Sequence, residues 1–426
     1  MFHHSFRICA LAAVAPGLLY LQGTSADADD TATTYREDVA FLRQHTTVIE
    51  LTDGARARVA VCPEWQGRVM TSTCRGPRGR SFGWIHREFI EAGEMNRQFN
   101  NYGGEDRFWL GPEGGQFGLW FDRDADQVLD NWFTPAALNE GAMHVVAAEG
   151  GQQVHLERAL ELTNASGTPF QLSLQRLIRL AGRDEFADTF GAEAAQLLDH
   201  DDVDLVGFAS ENYLTNRGET LDPRQGLVSI WILGMFQPGQ RAVVVVPYKS
   251  GAEAQLGPVV NADYFGPVPK ERLQVTPDAI LFRADGNYRS KIGVTPARAR
   301  AVCGAVDLEA GVLTLVHFNL PGDAAEQPYV NNTWVVPQEK PLAGDAVNSY
   351  NDGPPEPGAE SLGGFFELET LSPAAPLDRG ESLTHVHTTY HVQASPQRLA
   401  ALLRATLGVD VTAVERFLER AQTARR

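Results

Sequence analysis

Glycine and proline punctuate this chain throughout, 40 and 24 of its 426 residues, and the stretches between these breaks are short and rich in β-branched and aromatic side chains. Val59 to Val61, Gly67 to Thr73, Val145 to Ala148, Val154 to Leu160, Phe170 to Leu180, Leu227 to Leu233, Arg241 to Val246, Ile280 to Arg283, Leu313 to Asn319 and Asn332 to Val336 each read as a strand. Helical spacing is confined to Tyr35 to Arg43, to Ala187 to Leu198 and to Pro396 to Ala424. Parallel strands need a crossover helix between them, so runs this short and this frequent argue against a parallel α/β sheet. The predicted class is all-β, a large antiparallel sandwich carrying a C-terminal helix. No internal repeat interrupts the pattern, and Asp352 to Glu360 reads as a surface loop rather than a domain boundary.

The two ends fall outside that sandwich. Residues 1–28 predict a secretory signal peptide: His3, His4 and Arg7 precede the apolar Ile8 to Leu21, and Ala26-Asp27-Ala28 supplies a small-x-small cleavage pattern. The apolar run is broken by Pro16 and is shorter than the roughly 20 residues a bilayer span needs. The expected location is therefore periplasmic or secreted, with residues 29–395 forming the sandwich domain and 396–426 a helical extension. A formal charge of −18, from 54 acidic against 36 basic residues, argues against nucleic acid and against an anionic membrane surface as partners. A sugar or other neutral small molecule suits such a surface better. Cys62 and Cys74 flank a predicted strand pair, where a bridge would contribute roughly 3 kcal/mol in an oxidising compartment. Three buried free thiols, with Cys303, are the equal alternative.

Chemistry concentrates between Gly364 and Val392. Glu367 and Glu369 stand two apart in one predicted strand, and His385, His387 and His391 stand in the next. Because side chains alternate faces along a strand, each set shares a face, and a hairpin-like return would bring the sets together. That predicts either an acid/base site or a metal site. His385, His387 and Glu367 would suit zinc or a similar divalent ion, whereas calcium would prefer the carboxylates alone. The non-metal reading requires no cofactor.

The same stretch carries a family resemblance. Leu368-Glu369-Thr370, a proline-rich turn, Leu377-Asp378-Arg379-Gly380-Glu381 and a final strand ending Thr388-Thr389-Tyr390 resemble the end of an aldose 1-epimerase, or galactose mutarotase. In that family the glutamate is the catalytic base, and the resemblance places this role on Glu369. Ala60 to Val69 resembles the opening of the mutarotase-like sandwich, and the likeness extends loosely over residues 45 to 395. Asn100 to Trp109 and Gly111 to Gly118 occupy the place of the family's asparagine-arginine and histidine-glycine-glycine segments, with Glu113 nearest to the missing histidine. Phe208 to Asn216 resembles the segment holding the family's second histidine, its general acid, and Asn212 is the nearest polar residue there. Asparagine cannot supply acid catalysis, which contributes on the order of 10² to 10⁴ in rate. The chain is thus similar to secreted members of the broad galactose mutarotase-like superfamily that depart from the epimerases. The implied fold is a β-supersandwich, and His385 beside Glu369 is the candidate for the missing acid.

Two further segments complete the predicted cleft. Gly103 to Gly118 sets Glu105, Asp106, Arg107, Trp109 and Glu113 between glycines, a mixture of hydrogen-bonding and stacking groups suited to a sugar. Asp285 to Gly293 adds Arg289 and Lys291. Serine-hydrolase elbows, zincin motifs and phosphate loops are absent from the sequence. A carboxylate pair made by Glu113 and Glu369 would also serve a glycan-cleaving enzyme. The expected function is binding of a sugar or sugar derivative with acid/base chemistry at an anomeric or ring centre. A noncatalytic carbohydrate-binding protein that has lost the epimerase histidines is the alternative.

Overall fold

Alternation along Pro169–Leu180 shows how the sandwich is specified. Phe170, Leu172, Leu174 and Ile178 turn into the core, while Pro169 and Gln171 face water. Arg176 lies on the same buried face and is fully enclosed, the first sign that the interior is not wholly apolar. The structure is a computed structural model that describes residues 33–54, 56–356 and 358–424. The predicted leader, residues 1–28, lies outside the described residues.

Ten strands form one antiparallel sheet in the order Leu273–Val275, Ala279–Arg283, Val243–Pro247, Val302–Asp307, Val312–Phe318, Ser382–Gln393, Asp204–Asn216, Pro169–Leu180, Gln153–Thr163 and His144–Glu149. A five-stranded sheet, Ser290–Val294, Val347–Asn351, Phe366–Leu371, Ser229–Phe236 and Arg107–Gly111, packs over it beside a three-stranded sheet, Ile49–Thr52, Arg58–Cys62 and Arg68–Thr73. One core joins all three: Ile230, Ile232 and Leu368 of the five-stranded sheet meet Phe208, Val244 and Val316 of the large sheet, with Val59 and Val69 of the small one. The all-β antiparallel class predicted from the sequence is the class observed.

Helices cover the other face of the large sheet. Leu399, Leu402 and Leu403 of Pro396–Leu407, with Phe417 and Leu418 of Val411–Ala424, pack on Val243, Val245, Leu313 and Leu315. Phe186 and Ala194 of Arg183–Leu197 join the same layer. The predicted single C-terminal helix is two helices, because Gly408 takes a left-handed φ of 70° that ends the first. Asp410 then accepts from the Thr412 N–H at 2.9 Å and starts the second. Among the described residues no helix is long and apolar enough to cross a membrane.

Two other expectations are corrected. Asn332 to Val336 is a loop, not a strand; Trp334 packs in it edge-on to Phe121 and near-parallel to Trp132, so its aromatic content builds a wall rather than a sheet. Cys62 and Cys74 are not bridged: they and Cys303 are three buried free thiols, and burial pushes the Cys74 and Cys303 thiols up to about 12.

Candidate functional site

The five-stranded sheet has one face on the core and one on a cavity, and the period-two rule sorts its residues between them. In Phe366–Leu371, Leu368 and Thr370 point to the core, so Glu367 and Glu369 point to the other side. Register then aligns their neighbours. Glu367 stands opposite Met235 and Tyr350, and Tyr350 opposite Lys291. Glu369 stands opposite Leu233 and Asn348, and Leu233 opposite Arg107; one row on, Trp109 stands opposite Trp231. Loops close the rim with Trp132, Phe265 and Trp334.

The result is a cavity of roughly 320 Å³ into which nine aromatic side chains, Arg107, Arg289, Lys291, Glu113 and Glu367 project. That volume sits at the lower end of the roughly 300–1,000 Å³ of small-molecule sites. Its charges are largely arranged in pairs. Arg107 Nη2 donates to Glu367 Oε1 at 2.9 Å, with its guanidinium stacked 3.9 Å from the Trp109 ring centroid. Lys291 Nζ and Trp231 Nε1 both donate to Glu369 Oε2 at 2.9 Å, leaving Glu369 Oε1 without a partner. Trp132 Nε1 donates to Glu113 Oε1 at 2.7 Å.

Burial and neighbouring charge set the protonation states. Desolvation raises Glu113 above the ordinary carboxylate range, against the pull of Lys291. Glu367 is pushed up to about 8, first by burial and then by the Glu369 charge, with Arg107 opposing. Burial draws the Lys291 ammonium down, but Glu369 and Glu113 outweigh it and hold the amine above its usual value. Lys291 therefore stays charged and clamps the Glu369 carboxylate.

Of the residues singled out by sequence, Arg107, Trp109, Glu113, Arg289, Lys291 and Glu367 line this cavity, and Glu369 lies fully buried directly behind Lys291 and Trp231. The others lie elsewhere, and the reason is again alternation. Thr370 faces the core, and its hydroxyl is shared by His385 Nε2 at 2.7 Å and His387 Nδ1 at 2.8 Å. The two imidazoles thus stand on the opposite face of the strand from Glu367 and Glu369, and the predicted common hollow is not formed. Asp106 pairs with Arg176 and accepts from Ser210 Oγ at 2.6 Å. Asn212 accepts from Arg176 Nε at 2.9 Å and donates to the His385 carbonyl at 3.1 Å. Glu105 is held by Ser72 Oγ at 2.8 Å and His391 Nε2 at 2.9 Å. These residues form a buried polar layer between the sheets and take no part in lining the cavity.

The grouping of His385, His387 and Glu367 for a metal is likewise not made, since Glu367 belongs to Arg107 and the histidines to Thr370. Among the described residues no three His, Cys, Asp or Glu side chains are grouped to hold a metal ion. Sequence reasoning missed the aromatic walls and His86, the histidine that does line the cavity, whose ring burial holds below its ordinary pKa. Tryptophans stranded in Gly/Pro/Asn-rich loops, Trp132 and Trp334, were the available signal for the walls.

A family model described as a family of unknown function (DUF6786) matches residues 33–418. No curated protein matches the sequence. Similar solved structures include an Escherichia coli K12 protein provisionally described as an aldose 1-epimerase, at 12% identity and a TM-score of 0.46, covering 82% of this chain and 99% of that one. A Synechocystis sp. PCC 6803 protein is similar at 12% identity and a TM-score of 0.46, covering 82% and 96%. A galactose mutarotase-like protein from Lactobacillus casei ATCC 334 is similar at 9% identity and a TM-score of 0.42, covering 82% and 100%.

Proposed function

The chain belongs to DUF6786, a family of unknown function, and from that premise we propose that it binds a sugar or sugar derivative in the cavity and performs acid/base chemistry on it at the anomeric or ring centre. One observation carries the reading: aromatic faces, paired cations and two carboxyl groups whose pKa burial raises converge on one hollow of sugar size, with Glu369 directly behind it. Aromatic rings cover the apolar faces of pyranoses, and buried charged groups fix hydroxyls. Unpartnered polar atoms on Arg107, Trp109 and Glu369 support the same reading, because a hydroxylated ligand would satisfy groups whose isolation is otherwise costly. In this scheme Glu369 Oε1 takes the proton of the anomeric hydroxyl while Glu113, whose pKa burial raises, gives one to the ring oxygen. The ring opens and recloses with no net change in protons. Export through the residue 1–28 leader belongs to the same proposal, since a sugar site on a strongly acidic chain suits an extracytoplasmic role.

Intrinsic tryptophan fluorescence reports on the site directly, because Trp109, Trp132, Trp231 and Trp334 line it. Titration with a hexose panel is expected to quench it, and Glu369→Gln to lower turnover of a responding sugar at least a hundredfold while changing binding only a few-fold. Undiminished turnover in that variant removes Glu369 as base. The full burial of Glu369 behind Lys291 and Trp231 favours a second reading, a noncatalytic binding protein. Under it the wild-type chain quenches with sugar but interconverts no anomers, which polarimetry measures.

A further inference from the structure

Pairing the charges of the cavity leaves one over. Arg107 is bonded to Glu367 and Lys291 to Glu369, each at 2.9 Å. Arg289 lines the same cavity, yet among the described residues no carboxylate lies within ion-pairing distance of it and no hydrogen bond uses its guanidinium. Asp352 is close enough to act on the same Tyr350 hydroxyl as Arg289, but both its oxygens are taken. Oδ1 accepts from Tyr350 at 2.9 Å, and Oδ2 from the Gly363 and Gly364 N–H groups at 3.0 and 2.8 Å.

Arg289 is nevertheless held in place. Its guanidinium carbon sits 3.9 Å from the Phe265 ring centroid. The backbone beside it is pinned on both sides: the Tyr288 N–H donates to the Asp352 carbonyl at 3.0 Å, and Asn351 Nδ2 donates to the Tyr288 carbonyl at 2.9 Å. Arg289 and Lys291 are two residues apart at the start of Ser290–Val294, so both reach the cavity. A stacked, backbone-fixed guanidinium with its donors free is a preorganised receptor for a planar anion.

We infer that the cavity takes an acidic sugar, and that Arg289 is the subsite for its carboxylate. The inference rests on the reading of the cavity as a sugar site. Beside the bonded Arg107 and Lys291, this one stacked guanidinium offers parallel N–H donors that match the flat, two-oxygen face of a carboxylate.

The test titrates tryptophan fluorescence of the full chain with D-glucuronate, its methyl ester, D-glucose and D-glucose 6-phosphate. Glucuronate is expected to bind at least tenfold more tightly than its ester and than glucose. Arg289→Gln is expected to remove that preference, and Arg289→Lys to restore part of it. Far-UV circular dichroism of both variants should match the wild type, since among the described residues no hydrogen bond uses the Arg289 guanidinium. Equal affinity for glucuronate and its ester, or an Arg289→Gln variant that keeps the preference, overturns the subsite while leaving a neutral-sugar site standing. Tighter binding of the 6-phosphate overturns the carboxylate assignment. Silence towards all four sugars overturns the sugar reading itself, and the subsite with it.

Discussion

Glu113 and Glu369 are chemically alike, and in the proposed reaction their different surroundings give them different roles. Glu369 is pinned by an ammonium and an indole N–H through one oxygen, which fixes the carboxylate and leaves the other oxygen free to accept. Glu113 has an indole N–H and little solvent, so its proton is held to higher pH. An acid of this kind works only while protonated, so turnover should fall as pH rises through the raised Glu113 value. Glu113→Gln is expected to lower the rate on the order of a hundredfold and to abolish that alkaline fall, which a pH–rate profile measures. If the variant keeps the wild-type profile, the acid lies elsewhere, and His86 is the next group in the cavity to substitute. The tenfold effect expected at Arg289 belongs to this scale as well, because it depends on one guanidinium.

At the scale of elements, the turn that aims Arg107 is as constrained as the strand that carries it. Gly103 has φ 90°, and a Cβ there would stand 2.1 Å from the Trp84 carbonyl oxygen. Gly103→Ala is therefore expected to destabilise the protein by about 2–4 kcal/mol, read as a lowered urea midpoint; an unchanged midpoint would show that the turn relaxes freely. The sequence made part of this architecture visible. Glu367 and Glu369 share a face because strands alternate, and that fact needs no structure; Arg289 and Lys291 were legible only as cations of a polar turn. Which face is the core is a tertiary property. Thr370, in the one position between Glu369 and Leu371, turns His385 and His387 towards the interior, and no local pattern in His-x-His distinguishes a buried face from a cleft. Strands such as Arg107–Gly111 and Ser290–Val294 escaped detection because they are five residues long and carry charge, which the cavity requires and β-propensity does not favour. Asn332 to Val336 misled for the converse reason: valine and tryptophan there serve a wall.

For the molecule as a whole, the polar layer between the sheets makes stability depend on pH. Burial lowers His385 to about 3 and His387 to about 4, in surroundings of Thr370, Asp106, Arg176 and His317. The folded chain keeps both rings neutral to those values, whereas the unfolded chain takes up protons near the ordinary 6.5. Stability is thus complete above about pH 6.5 and declines as pH falls from there towards 4, at about 1.4 kcal/mol per unit for each ring. Urea midpoints at pH 7.5 and pH 5 should differ accordingly, and equal midpoints would mean that the interior admits charge. The large sheet carries a consequence of another kind. Its strand Ser382–Gln393 lies between Val312–Phe318 and Asp204–Asn216, so the two wings of the sheet meet only through the strand that comes last of the ten in chain order. A ribosome that has not yet translated that segment holds two half-sheets with bare inner edges, open to pairing with other chains. Closure of the large sheet waits on this strand, the last of the ten in chain order, and the inner edges of both wings stay bare without it.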